Sequence, residues 1–284
     1  MKYVVVTGVS SGIGNGVTRE LLAHGYHVFG SVRRAADAAR LQAELGPNFT
    51  PLLFDVTDVA AIARAAQQVK EVVGDVGLTA LVNNAGIAVT APVMHVPLEE
   101  LRQQLEINTI GVLAVTQAFL PLLGARRNAP HPPGRIVTIT STAGKIVFPF
   151  YGAYGASKHA VEGMMEALRR ELVMYGIDVV VVGPGSVQTP IWDKQGKKDF
   201  SAYAHTDYAA PLAKLEELMG RMNDAGMSPA RMGRELRKII ETPRPKARYG
   251  IYNNWLLAWF LPRWMPFRLF DRIVAGQLGM RRAK

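Results

Sequence analysis

The sequence predicts a doubly wound parallel α/β sheet, and three observations carry that expectation. Short runs rich in Val, Ile and Leu recur at residues 2–6, 26–32, 50–54, 79–83, 135–140 and 177–182, each of strand length. Helical patterns separate them, so the strands are joined by crossovers, lie parallel and carry helices on both faces. The first run leads directly into Thr7-Gly8-Val9-Ser10-Ser11-Gly12-Ile13-Gly14 and then into a helical pattern through Val17, Leu21 and Leu22. That is a strand, a glycine turn and a helix in that order.

Each element brings chemistry to its carboxyl end. In the first turn Gly8 permits the tight bend, Gly12 lets a pyrophosphate reach the backbone, and Gly14 lets the helix pack on the strand with its N-terminus facing the anion. No Gly-Lys-Ser/Thr follows, which excludes a P-loop. At the end of the second strand, where an acidic side chain would hold the ribose 2′-hydroxyl of NAD, the chain has Val32 followed by Arg33 and Arg34. A guanidinium there pairs with a 2′-phosphate, so NADP(H) is the expected cofactor and Arg33 its leading contact. Ser11 runs slightly against this, because no base stands within the glycine turn itself. Gly8, Asp55, Asn83, Ser141 and Pro184 all fall where strand runs end, the edge at which such sheets bind ligands. The proline-rich stretch Asn128–Gly134 is a loop before the Ser141 strand.

The fifth run is followed by Ser141 and, thirteen residues on, by Tyr-Gly-Ala-Ser-Lys at 154–158. A helix over 154–170 puts Tyr154 and Lys158 on one face, one turn apart. A cation beside a phenol favours phenolate, and bringing a tyrosine from pKa ~10 to neutrality means stabilising its anion by about 4 kcal/mol. Hydride transfer to a carbonyl builds negative charge on oxygen, so the site needs a proton donor and a second hydrogen-bond donor aimed at that oxygen. Tyr154 and Ser141 supply both, and the hydride must come from a cofactor. Tyr151 lies seven residues before Lys158 and is expected to line the pocket instead.

With TGVSSGIG at 7–14, Asp55-Val56, Asn83-Asn84-Ala85-Gly86, Asn108, Ser141, Tyr154, Lys158 and Pro184-Gly185 in this order and spacing, the chain resembles the short-chain dehydrogenase/reductase family over about residues 1–192. The resemblance implies a Rossmann-type fold and a role for each matching residue. Tyr154 is the general acid/base, Lys158 lowers its pKa and hydrogen-bonds the nicotinamide ribose, Ser141 holds the substrate oxygen, and Asn108 keeps a water in the proton relay. The cofactor would be bound by Gly8, Ser10, Ser11, Gly12, Ile13, Gly14, Arg33, Asp55, Val56, Asn83, Ala85, Gly86, Tyr154, Lys158, Pro184, Gly185, Val187 and Thr189. The resemblance also implies a homodimer or homotetramer.

At 284 residues, 49% apolar and 20% charged, the chain fits one α/β domain. The expected division is a catalytic part over 1–250, with a substrate-covering loop about 186–227, and an extension over 251–284. The absence of cysteine excludes disulfides, thiolate catalysis and Cys-zinc sites. A strand starting at residue 2 leaves no room for a signal peptide, and no run of 18 apolar residues predicts a span. A cytoplasmic protein is expected. The whole net charge of +10 lies in residues 231–284, which hold 13 Lys/Arg against 3 Asp/Glu. Trp255, Trp259 and Trp264 stand there among Leu256, Leu257, Phe260, Phe267 and Phe270, with Arg263, Arg268 and Arg272 interleaved. This composition suits an interfacial segment on an anionic bilayer, and equally packing on the fold or on a partner subunit. No nucleic-acid motif accompanies it.

Phe148, Phe150, Tyr151 and Trp192 predict an apolar substrate pocket. Together with PGSVQTPIW at 184–192 and the basic, aromatic tail, they liken the chain to the branch containing hydroxysteroid and retinol dehydrogenases. The expected function is NADP(H)-dependent carbonyl reduction, or the reverse alcohol oxidation, on a lipophilic substrate. Reduction of small polar ketones, and a catalytically silent dinucleotide-sensing or scaffold protein, are the alternatives.

Overall fold

In the computed structural model, which describes residues 1–189 and 200–280, the strand runs assemble into one parallel sheet. Its members are β1 (Lys2–Val6), β2 (Tyr26–Val32), β3 (Phe49–Leu53), β4 (Ala80–Asn83), β5 (Arg135–Ile139), β6 (Asp178–Pro184) and β7 (Arg248–Ile251). Their order is β3-β2-β1-β4-β5-β6-β7. The chain reverses its direction of travel between β1 and β4, and a crevice opens there at the carboxyl edge.

Side-chain alternation explains why both faces are covered. Val5, Phe29, Leu81, Ile136, Val179 and Val181 point to one side, and their neighbours Val4, Val6, Val28, Val82, Val137, Val180 and Val182 to the other. Six helices accompany the strands up to β6: α1 (Gly12–Ala23), α2 (Ala35–Leu45), α3 (Val59–Val73), α4 (Leu98–Leu105), α5 (Gly111–Phe119) and α6 (Gly152–Glu171). The first face is covered by α3, α5 and α6. The second is covered by α1, α2 and a later helix, α8 (Pro229–Glu241), which follows α7 (Ala209–Asp224). Its stripe Met232, Leu236, Ile239 and Ile240 is buried, at about 1.5–3 kcal/mol for each large side chain. Ser228 caps it by accepting from the Arg231 amide at 3.2 Å, with Pro229 in the first turn.

A third apolar cluster sits above the sheet edge. Phe150, Tyr203, Leu212 and Leu215 pack there with Val274 and Leu278. The latter belong to α10 (Phe267–Gln277) and its end, which follow the short α9 (Leu261–Trp264). Phe270, Val274 and Leu278 recur every four residues and form the inward stripe of α10.

Two expectations need correction. The sixth strand runs on to Pro184, and a seventh strand over Arg248–Ile251 pairs with it, Val182 opposite Tyr249 and Pro184 opposite Ile251. Sequence patterning missed β7 because four residues holding an arginine and a glycine show neither a Val/Ile run nor alternation. The helical stretch Leu98–Leu123 is long and apolar enough to cross a membrane by length and composition, with mean hydropathy 1.4 over 18 residues. No uninterrupted apolar run announced it, because Thr109, Thr116 and Gln117 interleave. In the fold it is the layer holding Gln104, Asn108 and Thr116 against the sheet and α6, all three fully buried.

Candidate active site

A cleft of about 840 Å³ runs along the carboxyl edge of the sheet, from Arg33 and Asp55 at one end to Phe148, Leu218 and Met222 at the other. Gly8 and Gly12 adopt positive φ, +71° and +59°, as the turn into α1 requires. A Cβ on Gly14 would lie 2.4 Å from the Gly8 carbonyl oxygen, so only glycine lets α1 start this close to β1. Ser31 fixes the turn from β2, its hydroxyl accepting from the Gly8 amide at 3.0 Å. Thr7, Asn84 and Ala85 tie β1 to β4: the Thr7 hydroxyl accepts from both the Asn84 and Ala85 amides at 2.9 Å, and Asn84 Nδ2 donates to the Thr7 carbonyl at 2.8 Å. Ser11 caps α1 without a side-chain bond, and its hydroxyl oxygen is buried with no partner among the described residues.

Ser10, Ser11, Gly12, Ile13, Arg33, Asp55, Val56, Ala85, Gly86, Pro184, Gly185, Val187 and Thr189 all line the cleft with Gly8. Asn83 does not. Its amide is buried and donates to the Thr116 hydroxyl at 2.8 Å, so it locks β4 to α5 instead. Gly14 sits behind the turn rather than in the cleft lining. Arg34 is drawn away into an ion pair with Asp37 at 2.7 Å, whereas Arg33 stands at the cleft beside Asp55 at 3.7 Å. Sequence reasoning missed Arg40, whose guanidinium donates to the Ser10 carbonyl at 3.4 Å. It lies on α2, where it also pairs with Asp37 and Glu44 at 3.5 and 3.3 Å.

At the opposite wall, Ser141 stands two residues beyond β5 and accepts from the Ala143 amide at 3.1 Å. Tyr154 and Lys158 follow on α6, both buried and both lining the cleft. The expected lowering of the Tyr154 pKa is not what this geometry produces. Burial pushes the phenol up, and the hydrogen bond with Ser141 pulls it back only in part. Burial also takes the Lys158 ammonium down to about 8. Its Nζ donates to the Ile139 carbonyl at 3.1 Å and stands 5.7 Å from the centre of the Tyr154 ring. Burial thus shifts the two groups in opposite senses, the Tyr154 phenol above its ordinary value and the Lys158 ammonium below its own.

Asn108 lies in a π-helical turn, Glu106–Ile110, between α4 and α5. Its side chain is hydrogen-bonded at both ends: Oδ1 accepts from the Ile87 amide, and Nδ2 donates to the Ile87 carbonyl and the Ser157 hydroxyl at 2.9 and 3.2 Å. Gln104, one turn earlier and missed in the sequence, accepts from the Val89 amide at 2.6 Å. Both hold the loop after β4 against α6. No pattern singled out Gln104, because α4 reads Leu-Glu-Glu-Leu-Arg-Gln-Gln-Leu and is rich in polar residues throughout.

Among the expected pocket aromatics, Phe148 and Tyr151 line the cleft, and Tyr151 packs edge-on to Tyr154 at 6.4 Å. Phe150 does not. At φ +69° it turns away from the cleft and buries its ring against Tyr208 at 5.8 Å. Its carbonyl accepts from the Ala91 amide, which holds that backbone conformation in place. Trp192 lies outside the described residues. Ile146, Leu215, Leu218, Met219 and Met222 make the remaining substrate end apolar.

The family model for short chain dehydrogenase matches residues 2–199. The chain is 41% identical to an NADPH-dependent 3-dehydrocapnine reductase of Ornithobacterium rhinotracheale, over 96% of both chains. It is 32% identical to human retinol dehydrogenase 16, covering 96% of this chain and 87% of that protein. Among solved structures, a short-chain dehydrogenase from Streptomyces avermitilis superposes with a TM-score of 0.75 at 27% identity, over 97% of this chain and 94% of the other.

Proposed function

The chain belongs to the short chain dehydrogenase family, and from that premise we propose that it is an NADPH-dependent carbonyl reductase acting on a lipophilic substrate at a membrane surface. The observation that carries the reading is one cleft joining a phosphate-accepting glycine turn to Ser141, Tyr154 and Lys158.

The residues present fit the cofactor. The partnerless Ser11 hydroxyl and the free amides at the start of α1 suit a pyrophosphate. Arg33 at the cleft, with Arg40 behind Ser10, suits a 2′-phosphate. Lys158 and Tyr154 would hold the nicotinamide ribose. The cofactor supplies the hydride. Tyr154 donates its proton to the substrate oxygen, and Ser141 shares the charge that develops there. Asn108 fixes the loop and helix that bring these groups together. The name of the Ornithobacterium relative points to the reductive direction.

The substrate end, with Phe148, Leu218, Met219 and Met222, accommodates an apolar chain or ring system. Phe148 stacks edge-on against Phe270 at 5.8 Å, which joins the cleft mouth to an exposed face bearing Trp264 and Phe267, 75% and 86% exposed. With Arg263, Arg268 and Arg272 among them, these side chains suit an anionic bilayer. The name of retinol dehydrogenase 16 also points to a lipophilic alcohol or carbonyl. The resemblance carries a homodimer or homotetramer, which light scattering decides.

The test is a carbonyl panel of steroids, retinal, long-chain ketones and small polar ketones, followed at the nicotinamide absorbance with NADPH and NADH in parallel. Turnover of the lipophilic members with NADPH is expected. Turnover of small polar ketones alone would replace the substrate class, and cofactor binding without any turnover would favour a sensing or scaffold role.

A further inference from the structure

We propose that Glu162 is a positioning residue for Ser141 and that it couples the Ser141 turn to the C-terminal aromatic segment. The role of Ser141 rests on the reductase reading above. Tyr154, Lys158 and Glu162 stand at i, i+4 and i+8 on α6, so one face of one helix presents all three. All three are buried. The first two line the cleft and the third lies beneath it.

The Glu162 carboxylate gathers both ends of the Ser141 turn and the edge strand β7. The Thr140 hydroxyl donates to it at 3.0 Å and Lys145 Nζ at 3.0 Å. Arg248 donates through Nε at 3.1 Å and through Nη2 at 2.9 Å. Thr140 immediately precedes Ser141, and Lys145 closes the turn that follows it. A Cβ on Gly144 would meet the Glu162 carboxylate at 2.7 Å, so the turn is seated directly on this side chain. A buried carboxylate is tolerated only with such partners, and its removal would leave two cations facing each other. Both chain ends of the Ser141 turn are therefore held by one acid.

The same acid reaches outward. Arg248 lies on the edge strand β7, and its guanidinium stands 4.7 Å above the Trp259 ring, a favourable contact for a partly desolvated arginine. Trp259 in turn stacks on Tyr252 at 5.9 Å and 16°. A continuous path of contacts thus runs from Trp259 through Arg248 and Glu162 to Thr140 and Lys145. Any force that reseats the aromatic segment is delivered to the residues flanking Ser141.

The experiment is amide hydrogen exchange on the full chain, with and without NADPH, for Trp259→Ala and Glu162→Gln. Each substitution is expected to speed exchange of residues 141–146 about tenfold while exchange in β1 and α1 stays unchanged. Combining them adds little, because both cut one path. On the best ketone of the panel, kcat falls about tenfold for Glu162→Gln with the KM for NADPH within about twofold, the mark of misplaced geometry rather than lost cofactor binding. Unchanged exchange of 141–146 in Trp259→Ala, or a KM for NADPH that rises as much as kcat falls, overturns the proposal. Should Glu162→Gln not fold, Arg248→Lys interrupts the same path and is read in the same way. Exchange needs no substrate, so an absence of turnover across the panel counts against the reductase reading alone.

Discussion

The glycine turn at one end of the cleft and the C-terminal segment, which meets the other end through Phe148 and Phe270, are built on opposite principles. At the turn, backbone meets backbone: Gly14 lies against the Gly8 carbonyl, and Asn84 reaches across to the Thr7 carbonyl. Few side chains could replace those present. In the C-terminal segment a few anchors, Phe270, Val274 and Leu278, hold a helix whose other apolar residues face solvent. Geometry specifies the first region, and composition specifies the second. The end with the glycine turn is built for one fixed cofactor, and the end toward the C-terminal segment is permissive.

The sharpest probe of the rigid end is Tyr154→Phe. Turnover should fall about 10²–10⁴-fold, the usual worth of a positioned proton donor, while NADPH binding followed by fluorescence stays within a few-fold. Equal loss of both would mean that Tyr154 holds the cofactor rather than the proton. Next in size, Leu236→Ala on α8 should lower stability in a denaturant titration by about 2–5 kcal/mol, because Leu236 is fully buried against the sheet. A loss under 1 kcal/mol would mean that α8 is as loosely held as the segment after it.

Arg33→Ser should cut the preference for NADPH over NADH about 10–100-fold, as expected for a lost charge-assisted pair. If the preference survives, Arg40 carries the 2′-phosphate and the double substitution should remove it.

A pH series sharpens the same end. Lys158 titrates near 8 in the fold, below the ordinary lysine value, so its charge is present below that pH and lost above it. NADPH affinity of Tyr154→Phe should therefore weaken as pH rises through about 8, and a flat profile to pH 10 would exclude Lys158 from cofactor binding.

The smallest effect on stability belongs to the permissive region. Trp264→Ser with Phe267→Ser should change unfolding free energy by no more than about 0.5 kcal/mol, as for surface positions generally. Flotation with vesicles containing phosphatidylglycerol should nevertheless be lost. Retained flotation would place the bilayer contact elsewhere.

The same contrast explains what the sequence disclosed. Six of the seven strands and the meeting of Ser141, Tyr154 and Lys158 at the cleft were legible, because Val-rich buried strands, a glycine turn and an i,i+4 spacing leave patterns that depend on local chain alone. Strand β7 was not, since four residues pairing along one edge need no pattern of their own. Phe150 was misplaced because its direction is set by a positive φ, which no spacing rule reveals. The Tyr154 pKa was expected to fall on the strength of a charge one turn away, and only the degree of burial could show that desolvation dominates. Glu162 stood in view at i+8 from Tyr154, yet its partners Lys145 and Arg248 come from other segments.

The Gly185 amide donates to the Ile251 carbonyl at 2.9 Å. That bond ties the residue after Pro184 to the last residue of β7. The segment that leaves Gly185 and the segment that follows β7 are thus spliced together at their roots. Exchange of one without the other leaves that main-chain bond joining unmatched segments. A chimaera built to move substrate preference between two such enzymes has to cross over before Arg248, and a tail grafted at residue 251 would arrive without its hinge.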